Sequence, residues 1–380
     1  MTHTERITSI DALARYIEAW NQLACGVPFR RWEWLGAWWE QFGADHELYV
    51  LAVFDPARNL IGLAPWYQEQ SLTHGRVVRW LGSGDACSDY LTLLAAPEHR
   101  SVVAQAISDW LIRADSDETE GDSWDLLKLE AVETSDRAVT ELAACLSESG
   151  HAVHTRPGPN CWRVPLGGSW EEYLSTLSKP NRRKVRWADK QLQNSEHFAV
   201  RQVNGLEELE PAWRAFVDLH QRRRQSIGQP GCFSCERFGR FLRSATERLL
   251  PSGRARLLSI EKDGRTLAAE LHLCDAENTY AYQVGISPDD LAENPGWLVN
   301  TASLRCAHAA GQVGFDLLRG DEPYKPHLGA EPRSTTDIRI VSRRVRSQLR
   351  SSAWLAGDAL RGWIKGGLEL TGIGRYGEKA

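Results

Sequence analysis

The sequence predicts an α/β (α+β) chain of two similar halves, each a mixed, mostly antiparallel sheet flanked by helices. Three observations carry this. Two long strand–turn–strand runs, "LYVLAVFDPARNLIGLAPWYQ" and "ARLLSIEKDGRTLAAELHLC", stand in corresponding places in the two halves. Each run is followed by a strand, a loop, a helix and a further strand. Between the halves, Pro and Gly crowd into "TRPGPNCWRVPLGGS", residues 155–169, which reads as a connector. The expected domains are residues 1–160 and 161–345, with an appended tail over 346–380. "CWRVPL" can add a strand to either sheet.

In the first half, "PFRRWEWLGAWWEQF" reads as an amphipathic helix, because Trp32, Leu35, Trp38, Trp39 and Phe42 recur at steps of three and four. Asp55-Pro56-Ala57-Arg58-Asn59 turns the first hairpin. "RVVRWLGSGDACSDYLTLLAAPEHR" follows as strand, Gly-rich loop and strand. A helix over about 98–113 and the strand "WDLLKLEAV" complete the half.

In the second half, Ser169 and Glu172 form a capping box and start a helix. A second helix starts at Ser178-Lys179-Pro180 and runs to about Asn194. Leu206, Leu209, Trp213, Phe216, Val217 and His220 share one face of a third. Asp263-Gly264 is a hairpin turn. "TYAYQVGI" is the next strand, "SPDDLAENPG" a loop into a helix over about 296–310, and "VGFDLLRG" the last strand.

Composition narrows the function. The chain has 380 residues, 42% hydrophobic and 25% charged, enough for two cores. A net charge of −5 exerts no global pull toward nucleic acid. No apolar run approaches the ~18 residues of a membrane span, and the N-terminus lacks the order of a signal peptide. Eight scattered cysteines suit reduced thiols and a cytoplasmic setting. The lone CxxC, Cys232 and Cys235, has no second pair and no histidine close in sequence, so no metal site is expected. Sixteen Trp are expected mostly in the core, some in a ligand cleft.

Four stretches, "PFRRWEWLGAWWEQFG", "LGSGDACSDYL", "LSKPNRRKVRWADKQL" and "FDLLRGDEPYK", together resemble the GNAT acyltransferases of the CelD/BcsL type, relatives of the Fem aminoacyltransferases. The resemblance spans roughly residues 28–345. It implies two tandem GNAT-like domains and an N-acyltransferase using acetyl-CoA or another acyl-CoA. The implied acceptor is an amine of a small molecule, an amino sugar or a polysaccharide precursor. Some Fem-like relatives use aminoacyl-tRNA, so a tRNA-dependent transferase stands as an alternative. A non-catalytic scaffold working with polysaccharide-synthesis proteins is another. DNA is not an expected partner. One loop departs from the family, whose CoA pyrophosphate sits on a Gly-rich turn with a basic residue. Here "SPDDLAENPGWLVN" keeps Gly296 at a helix start, but Asp289, Asp290 and Glu293 would repel phosphate if turned inward.

The implied catalytic residues lie on and just after the last strand. Tyr324 is placed to protonate a leaving thiolate, Lys325 to pair with a substrate phosphate or carboxylate, and Asp316 to orient either or accept protons. The plainer reading of that loop is a salt-bridged closure, Arg319 with Asp321 and Lys325 with Glu322. Glu270, on a central strand, is a candidate base, with His272 on its face. Tyr282, Gln283 and Val284, with Gly296 and Trp297, are the implied cofactor contacts. Arg182 and Arg186, one turn apart in the basic run, are either a solvated face or an anion clamp. Gly84, Asp85, Asp89 and Tyr90 are candidate acceptor contacts, with a plain turn as the alternative.

Overall fold

The computed structural model describes residues 2–116 and 121–370. Mostly antiparallel sheets carry the chain, with helices packed on their faces. Of the expected tail, 346–370 belongs to the helix Val345–Leu370, and 371–380 lies outside the described residues. No helix among the described residues is long and apolar enough to cross a membrane.

The first half divides between two sheets. The hairpin Val50–Phe54 and Leu60–Ala64 forms where expected, Leu51 opposite Ala64, and lies in a four-stranded sheet. Its turn is held by Asp55, whose carboxylate accepts from the Asn59 N–H at 2.8 Å. Pro65 cannot donate to a ladder. The chain beyond it, Trp66–Ser71, moves to a six-stranded sheet with Gly75–Trp80 and Leu126–Glu133.

The second half is one seven-stranded sheet. Ala255–Lys262, Arg265–Cys274 and Asn278–Ile286 run antiparallel, and Gly314–Arg319 then pairs parallel to the last of these. Helices Leu206–Ser226 and Glu236–Leu249 cover one face. Lys179–Asn194 and Pro295–Ala309 cover the other.

Two strands cross between the halves. Cys161–Pro165, left open by the sequence, joins the second-half sheet beside Gly314–Arg319. Thr335–Val341, expected with the second half, is instead inserted in the first-half sheet between Leu126–Glu133 and Ala152–Pro157. Its alternating apolar residues, Ile338 and Ile340, complete the first-half core.

Aromatic side chains lock the halves together. Trp34, fully buried in the helix Trp32–Phe42, meets Phe241 at 4.8 Å and Tyr282 at 5.0 Å, edge to face. Phe29 meets Tyr280 at 5.7 Å. Each such pair adds about 0.5–1.5 kcal/mol to the burial itself. The tryptophans of "RRWEWLGAWWEQF" serve this core.

Candidate active site

The parallel pair at the centre of the second-half sheet is short. Asn278, Thr279 and Tyr280 face Gly314, Phe315 and Asp316, and the two strands then separate. The strand Asn278–Ile286 runs on to Ile286 with that edge unpaired. A bulge reinforces the change. Leu271 faces Gln283 while His272 faces Ala281, so Tyr282 is the extra residue. A bulge bends its strand and re-aims the neighbouring side chains.

A cavity of about 370 Å³ opens where the strands part. The sheet contributes Glu270, Val284 and Ile286. The start of the helix Pro295–Ala309 contributes Gly296, Trp297 and Asn300. The loop after Gly314–Arg319 contributes Tyr324 and His327, and two cations, Lys184 and Arg223, complete the wall. Five expected residues therefore meet here: Glu270, Val284, Gly296, Trp297 and Tyr324.

Glu270 is 3% exposed. Its Oε2 accepts from the Ser303 hydroxyl at 2.6 Å and lies 2.9 Å from His272 Nε2. Both contacts fall on Oε2, which leaves Oε1 for a ligand. Tyr324 is 42% exposed. Desolvation of its phenol, with Glu270 and Glu322 close by, pushes it above the usual tyrosine range. The phenol is thus neutral and a donor at ordinary pH.

The acidic loop before the helix turns outward. Asp289 pairs with Arg222, Asp290 with Arg265 at 3.2 Å, and Glu293 with Lys262 at 2.6 Å. None of the three lines the cavity. Asn294, in the left-handed region at φ 55°, starts the helix, and the Trp297 and Leu298 N–H groups return to its carbonyl. The Gly296 N–H finds no backbone acceptor among the described residues. Lys184 Nζ stands 5.0 Å from the centre of the Trp297 ring. The wall is therefore cationic despite the acidic sequence of its loop.

Lys325 is placed otherwise than expected. It is 2% exposed, and its ammonium donates to the carbonyls of Leu318, Arg319 and Gly320 at 3.0, 3.0 and 2.9 Å. Glu322 lies 2.8 Å away. An ammonium has three donors, and the loop uses all of them, so none is left for a substrate. Asp316 also lies off the cavity. It is 2% exposed, accepts from the Tyr90 hydroxyl at 2.5 Å and from the Leu318 N–H at 2.8 Å. Burial pushes its carboxyl up to about 6, against the opposing bond from Tyr90. The Leu318 bond holds a residue at φ 58° where the strand bulges against Cys161–Pro165.

The first-half candidates form the joint between halves. Asp89, 1% exposed, accepts from Arg319 Nε at 2.5 Å and from the Arg319 N–H at 3.1 Å. Arg319 thus pairs with Asp89 rather than with Asp321, which accepts from Asn160 and Trp162. Gly84 and Asp85 are exposed in a short turn. Gly84 borders a different cavity of about 230 Å³ beside Arg79 and Glu130.

The remaining candidates scatter. The bulge puts Tyr282 and Gln283 on the far side of their strand from Val284. The Tyr282 hydroxyl donates to the Ala86 carbonyl at 2.7 Å. Arg182 donates to the Leu177 carbonyl at 3.0 Å, and Arg186 pairs with Glu171 at 2.7 Å. The same helix presents Lys184 to the cavity instead.

Sequence reasoning gives Arg222, Arg223 and Arg224 a helix-end role, with an addition to the basic patch as the alternative, and passes over His327. Arg223 was legible as a cation in a run of three, but its position over the strand edge depends on how its helix crosses the sheet. No sequence signal marks His327. Sequence also shows no histidine near the CxxC. The fold brings His220 to it, with Nε2 3.5 Å from Cys232 Sγ. Among the described residues, no group of three or more His, Cys, Asp or Glu is arranged to hold a metal ion.

Comparison with known proteins bears on this geometry. Residues 179–326, which contain the cavity wall apart from His327 and Leu328, match the acetyltransferase (GNAT) domain family. No curated protein matches the chain by sequence. A crystal structure of FemX is similar over 88% of this chain and 96% of its own, with a TM-score of 0.62 at 11% identity. The structure of L-PGS from Bacillus licheniformis is similar over 90% of this chain and 94% of its own, at 0.52 and 13%. The C-terminal domain of a putative lysylphosphatidylglycerol synthetase from Agrobacterium fabrum covers 89% and 95%, at 0.52 and 9%. At such identities these likenesses show a shared fold. The family match over 179–326 supports an acyltransferase.

Proposed function

We propose that the protein is an N-acyltransferase that takes its acyl group from acetyl-CoA or another acyl-CoA, at the cavity between the parting strands. The acceptor is an amine of a small molecule, an amino sugar or a polysaccharide precursor. The CelD/BcsL-type resemblance and a cytoplasmic setting belong to the same reading. So does the tandem division into 1–160 and 161–345, with the strand Thr335–Val341 returned to the first-half sheet.

One observation carries it: an unpaired strand edge, a helix N-terminus and two cations converge on a cavity that also holds Glu270 and Tyr324. Unpaired edge amides beyond Tyr280 suit a ligand with its own amides, which the pantetheine arm supplies. Lys184, Arg223 and the Gly296 N–H suit a pyrophosphate. The donor, when bound, supplies an activated thioester carbonyl.

The chain's own groups do the rest. Binding both substrates at one gap supplies proximity, worth about 7–11 kcal/mol in the best cases. Tyr324 donates from its neutral phenol to the departing sulfur. Glu270 Oε1 accepts a hydrogen bond from the donor's amide or from an ordered water. Lys325 holds the Leu318–Gly320 carbonyls and so fixes the loop that presents Tyr324.

The test is ligand stabilisation. Millimolar acetyl-CoA or CoA is expected to raise the Tm by several degrees, and uncharged tRNA to leave it unchanged. Stabilisation by tRNA and not by CoA would favour an aminoacyl-tRNA donor. Stabilisation by neither would favour a non-catalytic scaffold.

A further inference from the structure

We infer that the acceptor binds on the opposite face of Asn278–Ile286, where Arg224 takes a carboxylate of the acceptor and His220 Nε2 takes the proton of its amine. This rests on the acyl-transfer reading and adds the acceptor's class: an amine that also carries a carboxylate, such as an amino acid.

The placement follows from the strand. A second cavity, about 270 Å³, is lined by His220, Arg224, Gln229, Gly231, Cys232 and Gln283. The helix Leu206–Ser226 lies against this face. A Cβ at Gly285 would stand 2.6 Å from the His220 backbone nitrogen and 2.8 Å from the Phe216 backbone oxygen. Gln283 and Gly285 thus face that helix, while Val284 and Ile286 face the donor cavity. The two cavities flank one strand at the stretch that has lost its parallel neighbour.

The state of His220 can be read from its partners. Its Nδ1 is 3.2 Å from Gln221 Oε1. The Gln221 amide nitrogen donates to the Pro230 carbonyl at 3.0 Å, which fixes the oxygen toward the ring. An amide oxygen only accepts, so Nδ1 carries the hydrogen and Nε2 keeps its lone pair. The Cys232 thiol lies 3.5 Å from Nε2, and the Gln283 side chain also hydrogen-bonds the ring. Burial holds the imidazole below the ordinary histidine range. Gln221 and Gln283 oppose that and Arg224 adds to it. Those three and Cys232 are the polar and charged groups facing the ring. A neutral imidazole at pH 7 is a proton acceptor.

Arg224 supplies the class of ligand. It donates to Gln229 Oε1 at 2.8 Å and forms no ion pair with a carboxylate among the described residues. Its neighbour Arg222, by contrast, is paired with both Asp218 and Asp289. Arg224 lines the second cavity, and its chain neighbour Arg223 lines the donor cavity. A guanidinium there matches a carboxylate. The small volume suits an amino acid better than a sugar nucleotide.

The step balances without further reagents. Nε2 takes one proton from the ammonium. The freed nitrogen pair forms the C–N bond as the C–S bond breaks, Tyr324 protonates the sulfur, and the nitrogen's second proton restores the phenol. No bond to Cys232 is made.

The test measures thiol release from acetyl-CoA with the twenty amino acids, their carboxamides and glucosamine as acceptors, alongside calorimetric binding of each. Amino acids are expected to be acetylated at least tenfold faster than their amides. Arg224→Gln should raise the amino-acid KM about tenfold with the acetyl-CoA KM unchanged. His220→Asn should lower kcat about 100-fold or more and remove the acid limb of the kcat/KM profile. Equal use of acids and amides, acetylation of glucosamine alone, or an acetyl group found on Cys232 by mass spectrometry would each overturn the inference. Arg224→Gln decides the matter if His220→Asn does not fold. Amino acids that bind in an Arg224-dependent way, with no binding of acetyl-CoA, would sustain the acceptor site and refute the donor. Binding of acetyl-CoA with no binding or acetylation of any amino acid would do the reverse.

Discussion

The Tyr90 hydroxyl donates to the Asp316 carboxylate across 2.5 Å, joining two buried side chains 226 positions apart. The bond ties the first-half loop to the strand that borders the donor cavity. It also sets a pH dependence. Burial raises the Asp316 carboxyl to about 6, whereas an unfolded aspartate titrates near ~3.9. The native state therefore holds the proton more tightly. The stability this contributes is complete below about pH 4 and is lost as pH rises through about 6. The shift is worth about 3 kcal/mol. Asp316→Asn stays neutral, so its stability relative to the native protein should rise between about pH 4 and 7. Urea unfolding across that range checks this, and parallel profiles for the two proteins would refute it.

Lys325 gives a prediction about stability rather than binding. Lys325→Met keeps the length of the side chain and removes the ammonium that three carbonyls share. Leaving buried carbonyls without donors should cost about 2–4 kcal/mol. Donor affinity of the folded protein should not change. Unfolding curves and an acetyl-CoA titration separate the two effects, and weaker binding at full stability would return Lys325 to the site.

What the sequence disclosed depends on how local each signal is. The hairpins, the capping box at Ser169 and the helix starting at Lys179 rest on residues within a few positions of each other, and all form as read. The strand Thr335–Val341 went unread, inside the range expected for the second half, because its partners, 126–133 and 152–157, are about 200 residues away. The site shows the same divide. Glu270 was legible as a carboxylate on a central strand, and Tyr324 as a hydroxyl in the loop just after one. The bulge at Tyr282, which sends Gln283 and Val284 to opposite faces, leaves no mark in "TYAYQVGI". Nor does sequence tell which turn of a basic helix meets a cavity, so Arg182 and Arg186 stood out where Lys184 lines it.

Lys184 and Arg223 should act on the donor alone. Each is partly exposed, so its charge is screened and its contribution modest. Lys184→Ala and Arg223→Ala should each raise the acetyl-CoA Kd by about 3- to 10-fold and flatten its salt dependence. Arg186→Ala, whose partner is the exposed Glu171, should do neither. Calorimetric titration at two salt concentrations checks all three.

Tyr324 and Glu270 share one cavity but differ in what their loss should do. Tyr324 is 42% exposed and its hydroxyl has no hydrogen bond to a described residue that the loop depends on. Tyr324→Phe should therefore fold with stability within about 0.5 kcal/mol of the native protein. If the phenol donates to the departing sulfur, kcat should fall by about 100-fold or more with the acetyl-CoA Kd unchanged. Glu270 is buried and accepts from Ser303, so Glu270→Gln disturbs that bond as well as the cavity. Its effect should appear first in donor affinity, with a stability loss of about 1–2 kcal/mol. A leaving-group series divides the roles. An acyl donor with a more acidic thiol needs less help at the sulfur, so it should restore much of the rate to Tyr324→Phe and little to Glu270→Gln. Equal rescue of both would place the two side chains in a single role, and rescue of neither would remove Tyr324 from the sulfur.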